Sequence, residues 1–252
     1  MPNWVIVNKY GQLIHLIFEL LAYTIGFRYF IYLRRKNSDT ISDDNRTILL
    51  IAAAIGATLF SRIIGALDEG IAFELSINSL VQIYQSKTIL GGLLGGMLSV
   101  EITKKIIGIQ QSSGDLMTYP ILLSMMIGRL GCFLSGLNDG TEGVATSLPW
   151  GIDFGDKVQR HPTNLYEILF LVILWVIIPS LEKKYMLKDG AKFKLFLSSY
   201  CLFRLMIEFI KPTPTLLIGL TAIQWTSILG LIYYFKIILN PFHSLIISKK
   251  NG

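Results

Sequence analysis

Seven apolar runs divide the chain, and polar or charged stretches separate them. They cover about residues 13–33, 47–67, 88–107, 116–136, 164–179, 194–210 and 216–239. Each is near the roughly 20 residues that a helix needs to cross a bilayer core. The pattern predicts an all-α polytopic membrane protein with about seven spans. No repeat, low-complexity tract or linker interrupts it, so residues 1–252 are expected to form a single membrane domain. The first residues, with Trp4 and Tyr10, read as a short interfacial lead rather than a removable signal peptide.

Charge adds the orientation. Lys and Arg concentrate after the first, third and fifth runs and in the tail: Arg34, Arg35, Lys36 and Arg46; Lys104 and Lys105; Lys183, Lys184, Lys188, Lys192 and Lys194; Lys236, Lys249 and Lys250. The opposite side carries only Lys9, Lys87, Lys157, Arg160 and Lys211. Basic residues stay cytoplasmic, so the N-terminus is expected outside and the C-terminus inside. The longest loop, about residues 137–163, then faces outward and reads as a site loop. The net charge of +6 belongs to these loops and does not indicate a nucleic-acid partner. Only 16% of residues are charged, against about 25% in a soluble domain, which agrees with a membrane setting. Cys132 and Cys201 both lie in apolar runs and suggest neither a disulfide nor a metal site. No cofactor is implied.

Several ionisable residues sit where a bilayer makes them costly. Arg129 lies in the fourth run, and such a charge costs roughly 2.5–3.5 kcal/mol on insertion scales unless it faces a polar interior. Gly128 and Gly131 beside it allow a backbone or a lipid to approach. Tyr200, Arg204 and Glu208 are spaced four apart and share one helix face in the sixth run. Two readings are open: a structural Arg204–Glu208 ion pair, or an anion site in which Arg204 joins Arg129. A guanidinium fork suits phosphate oxygens. His161, in the run from His161 to Glu167, is a candidate base or phosphate donor, and Thr163 or Asn164 is a candidate helix cap. In the first two runs, Glu19 and Arg62 suggest an Arg62–Glu19 or Arg62–Glu69 pair. Gly91, Gly92, Gly95 and Gly96 mark a close helix contact.

Taken in order, these features resemble the bacterial prolipoprotein diacylglyceryl transferase family. The match rests on Gly128-Arg129-Leu130-Gly131-Cys132-Phe133 with Gly136 and Gly140, on the His161–Glu167 run, on Tyr200, Phe203-Arg204, Glu208 and Lys211-Pro212, and on Gln224. The resemblance implies transfer of a diacylglyceryl group from phosphatidylglycerol to the lipobox cysteine thiol of a prolipoprotein, or to another acceptor, in the bacterial inner membrane. It implies that Arg129 and Arg204 hold the lipid phosphate, that Tyr200 and Glu208 order Arg204, and that His161 stands at the outer mouth. Leu90 stands where the family has a histidine, Cys132 and Ser135 where it has asparagines, and Leu137 where it has an acid. Asp139, two places further on, is a candidate replacement for that acid, and Glu19 falls near a family tyrosine. This combination resembles a divergent paralogue, with base work assigned to His161 or Asp139, or a non-catalytic phospholipid-binding membrane protein that retains the arginine site.

Overall fold

The computed structural model describes residues 10–37, 39–74, 76–138 and 140–250, without the side chain of Asn138. Trp4, Lys9 and Asp139 fall outside the described residues. The chain is mostly helical: α1 (Gly11–Lys36), α2 (Asp43–Asp68), α3 (Ile77–Gln85), α4 (Ile89–Ile107), α5 (Asp115–Ser135), α6 (Thr163–Lys184), α7 (Ala191–Ile207), α8 (Ala222–Tyr233), α9 (Phe235–Leu239) and α10 (Pro241–Leu245). Four of these, α1, α2, α5 and α6, are long and apolar enough to cross a membrane, and α8 is a shorter apolar helix. The chain is therefore a polytopic membrane protein. The other two apolar runs form α4 and α7, which carry charges near their ends.

Local chemistry sets the helix ends. Ser42 accepts the amide of Asn45 at 3.4 Å to cap α2, and Asp43 and Asp44 face the positive end of its dipole. Gly108, with φ at 75°, closes α4 in the left-handed region that glycine tolerates. Asp115 of α5 caps a different helix: its two oxygens take the amides of Gly190 (2.9 Å) and Phe193 (3.1 Å) at the start of α7. The last apolar run breaks in two places. Residues 216–220 form a tight turn with Ile218 at φ 57°, so the helix starts only at Ala222, and Tyr234 then separates α8 from α9.

One helix and two strand pairs have no counterpart in the hydrophobic pattern. Helix α3 is a short amphipathic segment that leaves Ile77, Leu80, Val81 and Tyr84 exposed. Strands β1 (Ile152–Asp153) and β2 (Gln159–Arg160) form a small antiparallel hairpin within the long loop. Strand β3 (Tyr185–Leu187), just after α6, pairs antiparallel with β4 (Ile246–Lys249).

Helix α2 packs along α4, and α1 along α5. Glycine makes the first contact possible: a Cβ on Gly56 would lie 2.5 Å from the Gly95 carbonyl, and the reverse holds for Gly95. Behind α4 and α5, helices α6, α7 and α8 enclose an apolar core that includes Leu90, Leu122, Leu171, Ile178, Phe196 and Leu197. Between the α1–α5 pair and the α2–α4 pair runs a cleft of about 1770 Å³. It is lined at one end by His15, Glu19, Arg62 and Asp68, and at the other by Lys104, Ser112 and Asp189.

Candidate functional site

The first end of the cleft gathers the intramembrane charges. Arg129 (α5), Glu167 (α6), Tyr200 and Arg204 (α7) and Glu208 (the 3-10 turn after α7) are all buried. The centre of the group is Glu167. Its Oε1 lies 2.9 Å from Arg129 Nε, as an ion pair rather than a well-directed hydrogen bond, and accepts the Tyr200 hydroxyl at 2.8 Å. Its Oε2 lies 3.9 Å from Arg204 Nη1. Arg204 Nη2 donates to Glu208 Oε1 at 2.7 Å, and Lys211 Nζ lies 3.9 Å from the same oxygen. Burial, and after it the charge of Arg204, push the Lys211 ammonium below its ordinary pKa against the pull of Glu208.

Three cations, Arg129, Arg204 and Lys211, thus meet the carboxylates Glu167 and Glu208, and Asp68 of α2 lines the same end of the cleft. Arg129, Arg204 and Lys211 all line the cleft, whereas Glu167 and Glu208 do not. Arg204 Nε is buried without a hydrogen-bond partner. Gly128 also lines the cleft, and a Cβ there would meet nothing within 4 Å, so the space beside Arg129 is open. Gly131 has a packing role, since a Cβ on it would collide with Phe18 of α1. Gly140, with φ at 64°, lines the cleft at the start of the long loop. Such a site can hold an anion beside an apolar channel, which is the chemistry of a phospholipid headgroup and its chains.

The remaining predicted residues are placed as follows. His161 is not among the residues lining the cleft. Its Nδ1 lies 3.2 Å from the Tyr166 hydroxyl, which also accepts Trp150 Nε1 at 2.7 Å. Neither Thr163 nor Asn164 caps α6. Instead Thr163 donates to the Thr141 carbonyl at 2.6 Å, and Thr141 donates to Asn164 Oδ1 at 3.0 Å, which ties the loop to the helix. Arg62 pairs with neither Glu19 nor Glu69. It donates to the Ser86 carbonyl at 3.3 Å and covers the Tyr84 ring at 4.6 Å, while Glu19 takes Lys87 at 3.1 Å. The reason is spatial: α1 and α2 belong to different helix pairs, and α3 brings its own partners to the mouth. Gln224 forms a capping box with Thr221 and reaches the Leu205 carbonyl at 3.5 Å, joining α8 to α7. Leu90 is fully buried in the apolar core.

Two residues had no role assigned from sequence. Glu167 closes the His161–Glu167 run, and its spacing alone does not reveal that it faces Arg129 on another helix. Asp68, at the end of α2, is buried, lines the cleft and accepts the Ile223 amide of α8 at 3.3 Å. Its burial could have been suspected only from the cost of a carboxylate beside an apolar run.

A bundle of apolar helices around a buried, cleft-facing arginine pair defines a multi-pass membrane protein with charged side chains facing its interior. Comparison with known sequences makes the class specific. The profile of the prolipoprotein diacylglyceryl transferase family matches residues 6–239, and the chain belongs to that family. Among its relatives is a phosphatidylglycerol–prolipoprotein diacylglyceryl transferase of Dehalococcoides mccartyi, 28% identical over 213 residues that cover 80% of this chain and 78% of the relative. A transferase of the same name from Trichormus variabilis is 29% identical over 214 residues, 79% of this chain and 73% of that one. One from Clostridioides difficile is 34% identical over 145 residues, 56% of each chain.

Proposed function

We propose that this protein transfers the diacylglyceryl group of phosphatidylglycerol to the lipobox cysteine thiol of a prolipoprotein and releases glycerol phosphate. The observation that carries this reading is the buried pair Arg129 and Arg204, joined through Glu167 and both open to the cleft. The donor phosphodiester carries one negative charge, and the departing phosphate monoester carries a second. Two preorganised guanidiniums facing the cleft stabilise that growing charge more than they stabilise the bound donor, and this difference is what accelerates a reaction. In the step, the acceptor sulfur bonds to the glycerol carbon, the carbon–oxygen bond to phosphate breaks, and its electron pair leaves with glycerol phosphate. Tyr200 would hold Glu167, Glu208 would hold Arg204, and His161 would belong to the loop over the mouth. No cofactor is required.

The distribution of Lys and Arg supports seven crossings of the bacterial inner membrane, with the N-terminus and the arginine end of the cleft outside. A second reading keeps the donor and changes the acceptor. It is favoured by Leu90, an apolar core residue unable to take a proton where the family carries a histidine.

The test is a transfer assay with purified protein, phosphatidylglycerol micelles and a lipobox peptide, read by mass spectrometry. Lipidated peptide with glycerol phosphate is the expected result. Glycerol phosphate alone would point to another acceptor, water included. Neither product, from folded protein that binds the lipid, would reject transferase activity on this donor.

A further inference from the structure

We propose that Asp68 is the proton acceptor for the incoming thiol, an inference that rests on the transferase reading above. The bond to sulfur forms fastest from the thiolate, so the S–H proton must leave as the sulfur attacks. A base must therefore border the cleft close to the arginines and be free to accept.

The carboxylates sort themselves by this requirement. Glu167 and Glu208 are committed to Arg129 and Arg204 and stand behind the cleft. Glu19 is paired with Lys87, and Glu69 accepts the Ser86 hydroxyl at 2.9 Å. Asp68 lines the same cleft as Arg204 and Lys211 and makes no ion pair within 4.0 Å among the described residues. Its Oδ1 is fixed by the Ile223 amide in the first turn of α8, and its Oδ2 has no hydrogen-bond partner among the described residues. The charged groups acting on it are Glu208 and Lys211 beyond α7 and Arg204 on α7. In the step, the thiol proton passes to Asp68 Oδ2, sulfur bonds to carbon, and the carbon–oxygen electron pair leaves on the phosphate. Asp68 then returns the proton to the departing phosphate or to water at the mouth.

The experiment compares wild type with Asp68→Asn, using two lipobox peptides, one with cysteine and one with selenocysteine. Asparagine still accepts the Ile223 amide, so the α2–α8 tie is retained. A selenol is ionised at neutral pH and needs no base. With the cysteine peptide, Asp68→Asn is expected to be about 100-fold slower or more, and its rate to rise with pH as the thiol ionises. With the selenocysteine peptide it is expected to approach wild type. An equal loss on both peptides, or no loss on either, would overturn the assignment. Asp68→Glu, which keeps a carboxylate, is expected to restore part of the cysteine rate. His15 also lines this end of the cleft. His15→Gln is expected to stay within about twofold of wild type, and a selenol-rescued loss there instead of at Asp68 would also overturn it. A wild type inactive on both peptides would overturn the transferase reading itself, and the assignment of Asp68 would fall with it.

Discussion

Glu167 and Arg129 meet 2.9 Å apart, inside the bundle, from successive helices that the long loop joins. The same carboxylate restrains Arg204 and Tyr200, so it sets the distance between the two guanidiniums. Replacing Glu167 with Gln leaves two buried cations facing each other. The expected loss of stability is about 3–5 kcal/mol, measured by denaturant unfolding in detergent micelles. Arg129→Gln added to Glu167→Gln is expected to cost less than the sum of the single changes, because the two residues interact directly.

Arg204 tests the fork geometry. Arg204→Ala should abolish transfer while the protein still inserts in the membrane. Arg204→Lys should restore little, since an ammonium keeps the charge but cannot contact Glu167, Glu208 and a phosphate at once. The measurement is initial rate in micelles, with insertion checked by membrane fractionation. Wild-type rates in Arg204→Ala would refute a phosphate-binding role.

The glycines of α4 separate into two kinds. A Cβ on Gly95 would strike the Gly56 carbonyl and the Phe60 side chain, whereas a Cβ on Gly92 would meet its neighbours at an ordinary 3.7 Å. Gly95→Ala is therefore expected to destabilise by about 1–3 kcal/mol, and Gly92→Ala by much less. Thermal unfolding of the two variants side by side decides it.

Asp39, in the turn between α1 and α2, gives a pH dependence. Burial raises its carboxyl pKa, but hydrogen bonds from Arg46 and Arg34 and from the Ile41 amide outweigh that and hold it below the usual carboxylate value. A group with a lowered folded pKa contributes in full above its unfolded value, about 3.9, and the contribution is lost as pH falls through the folded one. Acid unfolding of wild type should therefore steepen below about pH 4. Asp39→Asn should be less stable at neutral pH and less sensitive to acid, as thermal melts across that range would register.

The helices and the arginine pair were legible because each leaves a one-dimensional trace: a long apolar run, or a charge within it. Tyr200, Arg204 and Glu208 were legible as a face because four-residue spacing is a helix property. The partner of Arg129 was not, since Glu167 reaches it only through the packing of α6 on α5. The Arg62–Glu19 expectation failed for the same reason, as proximity along two neighbouring runs does not imply proximity in space. Helix α3 was missed because it is shorter than a span. Asp139 falls outside the described residues.

Strand β4 closes against β3, and backbone bonds continue the seam at both ends, from Lys188 to the Leu245 carbonyl and from Lys250 to the Lys184 carbonyl. The two strands are separated in the chain by α7, α8, α9 and α10. A ribosome therefore delivers one half of this seam well before the other. Until residues 246–249 emerge, the edge of β3 stands unpaired, and the closing of this end of the bundle is a late event in the making of the protein.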